Sequence, residues 1–365
     1  MATHTGLSIV QVTARLEKDA WFDSWRATIN GTESGIKFDS VLDDAFAKAP
    51  WFKEMYPDVI SGDDDLVLSV TANSLLHAWH MGYRDFEWII VDRVFDKRRI
   101  DYTGKFPFPV MHVPCKRTIW DTFPVPMGKE GLATHSKYAN ICAAINTGFR
   151  YARRPMTLLL GDCTVVNPEG IGTLIASPTD VGFRSVWTKF GVDNFVPHVM
   201  SQNAYDGESY VQWPWHSLWG NGAAVPLEYM LKINGYDELL DGTIGYDDCD
   251  VLDRLKVLFN SLDIKPRLMS SPNVAVVDLG APHFQHGRPS ARNNALLAKA
   301  IQSRDPGRFA ANLGLMLDYG VWDYYVRLCN HHKQPITDPY WMLSVLSKPF
   351  VLRDENAIFT KEWDK

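Results

Sequence analysis

Short apolar, β-branched runs alternate along this chain with stretches whose apolar residues recur at helical spacing. Leu7-Ser8-Ile9-Val10-Gln11-Val12-Thr13 reads as a first buried strand. Leu66, Val70, Leu75, Leu76, Trp79 and Met81 give a helix over 66–83, and the Tyr83-Arg84-Asp85 turn leads into a strand at Trp88–Asp92. The proline- and aromatic-rich stretch 100–126 holds a strand around Val110–Val113. The clearest helix is 135–153, where Ala139, Ile141, Cys142, Ala144, Ile145 and Phe149 form one apolar face. A strand at Met156–Leu160 runs to Asp162, and Pro168-Glu169-Gly170 opens the next helix or turn. Val251, Leu252, Leu255 and Leu258 mark a further helix beginning near Asp247.

Strands alternating with helices predict an α/β fold: an open, mostly parallel twisted sheet flanked by helices. Ligands of such sheets bind beyond the carboxyl ends of the strands. Asp92 and Asp162 both fall there.

Between the first strand and the helix at 66, residues 19–65 read as a helix plus an inserted, mostly irregular excursion, with Trp21, Trp25, Trp51, Phe52 and Pro57. Asp63, Asp64 and Asp65 read as a solvated turn, having no other ligand type nearby. From about Ala291 the composition turns helical again, so a main domain over 1–290 and a C-terminal helical extension over 291–365 are expected.

At 365 residues with 46% hydrophobic and 22% charged content, the chain can bury one large core. A net charge of −6 argues against non-specific wrapping of nucleic acid, and the Lys97-Arg98-Arg99 cluster reads as solvated surface. Five cysteines, Cys115, Cys142, Cys163, Cys249 and Cys329, are widely spaced with no CxxC pair, which points to reduced thiols and away from structural zinc. No basic n-region with an apolar core opens the sequence, and no run approaches the ~20 apolar residues of a membrane helix. A soluble protein of the cytoplasm is therefore expected.

The densest chemistry lies at the start of the helix near 247. Asp247, Asp248, Asp250 and Asp253 follow a turn built on Gly245-Tyr246. One acid suffices for an N-cap, and carboxylates at a helix N-terminus stay available as base or ligand. The surplus favours chemistry over capping. Upstream, Trp213, Trp215, His216 and Trp219 precede the Gly220-Asn221-Gly222 turn; aromatic faces of this kind stack on sugars or bases, or else belong to the core.

Asn234-Gly235-Tyr236-Asp237-Glu238, followed by Gly245-Tyr246-Asp247-Asp248-Cys249-Asp250-Val251-Leu252-Asp253-Arg254-Leu255, resembles the closing motif of family 2 glycosyltransferases with the GT-A (Rossmann-like) fold. Phe86–Asp92, Ala133–Ala139 with Asn146–Phe149, and Thr157–Cys163 resemble, in order, that family's second strand, its helix before the metal site and its DxD strand. The resemblance implies a metal-dependent transferase moving a sugar from a nucleotide-diphosphate donor, UDP-linked, to an acceptor hydroxyl with inversion. It implies Asp247 as base, with Asp248 the alternate, and Asp162 as ligand of a Mn²⁺ or Mg²⁺ ion. Gly161-Asp162-Cys163 departs from the family in offering one acid where two or three are usual, which brings in His286 or His283 as a further ligand.

On the donor, Arg288 and Lys137 are expected at phosphate, Asp92 at the N3–H of the base, and Thr13 and Arg15 along the same pocket. An Asx turn is the competing role for Asp92. Trp215, Trp219, Asn221 and Asp250 are the expected acceptor contacts, and the acceptor is a glycan, a small molecule or a hydroxymethylated DNA base. Two other classes remain: an inactive GT-A-like binding module, suggested by the reduced DxD, and a nucleotidyltransferase. A dehydrogenase lacks its GxGxxG turn and a P-loop enzyme its lysine loop.

Overall fold

The computed structural model describes residues 6–14, 38–60, 67–116, 141–177, 181–189, 198–199, 221–233, 235–238, 241, 247–263 and 267–279. Arg15, Lys137, Trp215, Trp219, His283, His286, Arg288, the Asp63–Asp65 run and the 291–365 extension lie outside these residues.

Among the described residues nine strands form one sheet: β1 (Leu7–Thr13), β2 (Phe86–Asp92), β3 (Val110–Pro114), β4 (Met156–Leu160), β5 (Thr164–Val166), β6 (Val181–Lys189), β7 (His198–Val199), β8 (Ala224–Pro226) and β9 (Arg267–Asp278). The order is β3-β2-β1-β4-β8-β6-β9-β5, with β7 beside β6. The first four strands run parallel, as do β6 and β9, and the short β8 and β5 pair antiparallel to their neighbours. The α/β architecture expected from the alternating pattern is the one observed.

Pleating sorts the apolar residues of β1, β2 and β4 between two faces. Leu7 and Ile9, Phe86, Trp88 and Ile90, and Met156, Leu158 and Leu160 share one face and enter the main core cluster. Helices α1 (Phe38–Lys48), α2 (Pro50–Ile60) and α3 (Ser69–His80) supply Ala45, Phe52, Met55, Leu75 and Ala78 to that same cluster. Val10 faces the other way, toward α4 (Ile141–Tyr151). There Gly148 lets helix and strand close up, since a Cβ on it would lie 2.2 Å from Val10 Cγ1.

Over residues 38–60, helices α1 and α2 stand where a mostly irregular excursion was expected. Ala45, Ala49, Phe52 and Met55 recur at three- to four-residue spacing and are buried. The aromatics packed beside them (Phe46 at 5.6 Å from Phe52 and 5.2 Å from Tyr56) masked this period. Pro50 opens α2, where its missing N–H costs nothing, and Pro57 is carried inside the helix rather than ending it.

Three further helices follow: α5 (Pro168–Ile175), α6 (Leu227–Lys232) and α7 (Asp247–Ser261). Asn167 caps α5 by accepting the Glu169 N–H, and Pro168 takes the first helical position.

Candidate functional site

The carboxyl ends of the parallel strands bring two of the expected residues side by side. Thr13 closes β1 directly opposite Asp92 at the end of β2. Leu160 lies opposite Gln11, so Asp162 follows β4 by the same two residues that carry β1 to Thr13. This edge therefore holds Thr13, Asp92 and the Asp162 turn in neighbouring strands.

Asp92 is buried and fully engaged. One carboxylate oxygen accepts the Val94 N–H at 2.8 Å, the bond of an Asx turn; the other meets Arg98 and, at 3.2 Å, His112 Nε2. Burial works to raise its pKa, yet the bonds from His112 and Arg98 outweigh that and hold the carboxyl below its ordinary value. These contacts are those of the turn-stabilising role. They also overturn the solvated reading of Arg98, whose side chain is 1% exposed.

The Asp162 turn is held from beneath. Gln11 reaches from β1 to donate to the Gly161 carbonyl at 2.9 Å and to Thr71 Oγ1 at 2.8 Å, while its own oxygen accepts Trp88 Nε1 at 3.0 Å. Thr71 passes the chain on to the Thr164 carbonyl. Cys163 takes a left-handed φ of 55°, a conformation that L side chains adopt at some cost. It is fastened by bonds of 2.8 Å from its N–H to Val67 O and from Leu279 N–H to its carbonyl. Asp162 itself, within the turn, is half-buried.

Asp247 and Asp248 occupy the first turn of α7, both half-buried. Burial pushes the Asp247 carboxyl up to about 6, the charges of Asp248 and Asp250 add to the rise, and backbone N–H groups at the helix start oppose it. A carboxylate so placed changes charge close to neutral pH, the range in which a general base works best.

Asp250 has a different employment from the acceptor contact expected of it. It is buried against Arg254, with Oδ2 at 2.7 Å from Nε and 2.5 Å from the Nη2 nitrogen. Arg254 also donates to the carbonyls of Ile233 (2.7 Å) and Gly235 (2.8 Å), locking the helix onto the turn before it. That turn is pinned again by Asn146 of α4, which accepts the Tyr236 N–H and donates to Tyr236 O and Glu238. Gly235, at φ 73°, is needed there: a Cβ would lie 2.1 Å from Asn146 Oδ1.

Two side chains that sequence reasoning passed over complete this support. Lys116, just past β3, forms a buried ion pair with Glu238. Asp241 accepts the N–H groups of Cys142 and Ala143 at 2.9 Å each, anchoring the start of α4. Burial and the charge of Glu238 push the Asp241 carboxyl well above its ordinary pKa despite those bonds.

Asn221 faces the Asp162 turn. Its Oδ1 accepts the Gly161 N–H at 3.0 Å, and its Nδ2 lies 3.1 Å from Thr164 Oγ1 and 3.2 Å from Asp278 Oδ2. Asp278 ends β9, an acid closing a run of Val274, Ala275, Val276 and Val277, just as Asp162 follows an apolar strand. That shared pattern was the signal that could have found it. Among the described residues no group of three or more His, Cys, Asp or Glu side chains is arranged to hold a metal. The Asp162 carboxylate is, by residue type, a hard oxygen donor.

No family model and no curated protein matches this chain. Among solved structures it is similar to GalNAc-T7 with UDP, GalNAc and Mn²⁺, at 12% identity and a TM-score of 0.41, covering 81% of this chain and 48% of that one. It is similar to S. aureus TarS in complex with UDP, at 11% identity and a TM-score of 0.40, covering 92% and 74%. A third is the mannosyltransferase PcManGT from Pyrobaculum calidifontis with GDP-Man and Mn²⁺, at 13% identity and a TM-score of 0.33, covering 96% and 77%. The chain spans about half the length of the first of these. No helix among the described residues is long and apolar enough to cross a membrane.

Proposed function

We propose that this protein is a glycosyltransferase that moves a sugar from a nucleotide-diphosphate donor, UDP-linked, to an acceptor hydroxyl with inversion at the anomeric carbon. The observation that carries the reading is a pair of half-buried carboxylates at the ends of elements: Asp162 on a clamped turn beyond the carboxyl edge of the sheet, and Asp247 in the first turn of α7, where desolvation and the charge of Asp248 raise its pKa to about 6.

In this reading the acceptor oxygen forms its bond to the anomeric carbon as its proton passes to Asp247. The bond from that carbon to the diphosphate breaks, and the nucleoside diphosphate leaves. Asp162, with His286 or His283, would hold a divalent cation, Mn²⁺ or Mg²⁺, which would supply Lewis-acid neutralisation of the departing diphosphate. Arg288 and Lys137 meet phosphate oxygens. Thr13 and Arg15 line the base pocket, with Asp92, opposite Thr13, at the N3–H of the base. Trp215 and Trp219 offer stacking faces to a glycan, a small molecule or a hydroxymethylated DNA base.

One observation favours a second reading, a GT-A-like module that binds without turnover: Gly161-Asp162-Cys163 carries a single acid. Incubation with a panel of UDP- and GDP-sugars, with and without Mn²⁺, separates the two. Cation-dependent release of free nucleotide from one donor is the expected result. Nucleotide binding with no release from any donor would favour the inactive module.

A further inference from the structure

Asn221 bridges two groups of opposite hydrogen-bonding character. The Gly161 N–H only donates and the Asp278 carboxylate, when ionised, only accepts. A primary amide presents one acceptor and one donor end, and here the acceptor end takes Gly161 N–H at 3.0 Å while the donor end takes Asp278 Oδ2 at 3.2 Å. Thr164 Oγ1, at 3.1 Å from the same Nδ2, also donates to the Asp162 carbonyl at 3.2 Å, and Thr164 is paired with Asp278 in the ladder of β5 and β9. With Gln11 holding the Gly161 carbonyl, the residue before Asp162 is bonded through both its N–H and its C=O to side chains from other strands or loops. No isosteric residue does what Asn221 does: Leu satisfies neither partner, and Asp sets a second carboxylate against Asp278.

We infer that Asn221 is a positioning residue for Asp162, and that it fixes the Asp162 turn to the end of β9 through Asp278. This moves Asn221 from the acceptor side of the site to the cation and diphosphate side. It rests on the proposed role of Asp162 as a cation ligand. Because residues behind a ligand set its orientation, their loss commonly lowers metal affinity by about 10–100-fold.

The test uses the full chain and Mn²⁺ alone, with affinity read from water-proton relaxation and folding checked by thermal unfolding. Asn221→Asp is expected to weaken Mn²⁺ binding about tenfold or more. The exchange Asn221→Asp with Asp278→Asn keeps an acceptor end toward Gly161 and restores a donor against the new carboxylate. That double variant is expected to recover affinity to within about threefold of the wild type, a non-additive result characteristic of a direct pair. Wild-type affinity in Asn221→Asp, with binding lost in Asp162→Ala, would overturn this inference and leave the function standing. A weakened Asn221→Asp that the exchange does not rescue would overturn the pairing. Absence of Mn²⁺ binding by the wild type would overturn both this inference and the cation-dependent reading.

Discussion

Asp162→Ala is expected to abolish cation-dependent binding of the nucleotide donor. The substitution removes the one acid of the Gly161-Asp162-Cys163 turn, and imidazole ligands alone hold a hard cation poorly against water. The turn should survive, since its bonds to Gln11, Val67, Leu279 and Asn221 run through the backbone of Gly161 and Cys163. Isothermal titration with Mn²⁺ and UDP checks this, and unchanged affinity in a folded variant would remove Asp162 from the site.

Asp247→Asn is expected to leave donor binding nearly intact while lowering turnover by roughly 10²-fold or more, the scale of a positioned general base. Asparagine keeps the shape and still caps a helix, but it cannot take the proton. The fold should not suffer. Because the folded-state pKa of Asp247 is raised from 3.8 to about 6, the folded protein holds that proton more tightly than the unfolded chain. Ionisation of Asp247 therefore weakens stability as pH rises through this window, and the penalty stays in place above it. The neutral amide removes the penalty, so the unfolding temperature at pH 7 should be equal or higher. Unaltered turnover would transfer the role to Asp248, and a lost fold would make the acids structural.

Periodicity made β1, β2 and β4 legible because they are short, mostly apolar runs buried on both faces, whereas β5 to β9 were not read from the sequence. Leu7–Thr13 and Met156–Leu160 appear in the structure with the bounds read from sequence. The two helices of the insertion escaped because aromatic residues filled positions off the apolar stripe and Pro57 suggested a break.

Within the site, residue type pointed to acids but not to what each would meet. Asp250 and Asp247 stand three positions apart in one motif, yet Arg254, one turn on, claims Asp250 and leaves Asp247 to the burial that raises its pKa. Likewise Asp92 reads as a base-binding acid until Arg98 folds back over it from six residues away. Asn221 and Asp278 come together across 57 residues, a contact that no local spacing could announce.

The most direct test of the central claim, that Asp247 is the base of a nucleotide-sugar transfer, is the pH dependence of kcat/KM for nucleotide release, which reports the pKa of the free protein. The base must be ionised, so log kcat/KM should rise with unit slope below about pH 6 and level off above it. The residual activity of Asp247→Asn should lack that limb. A wild-type profile that is flat from about pH 5 to 7, or a limb that persists in Asp247→Asn, would contradict the assignment.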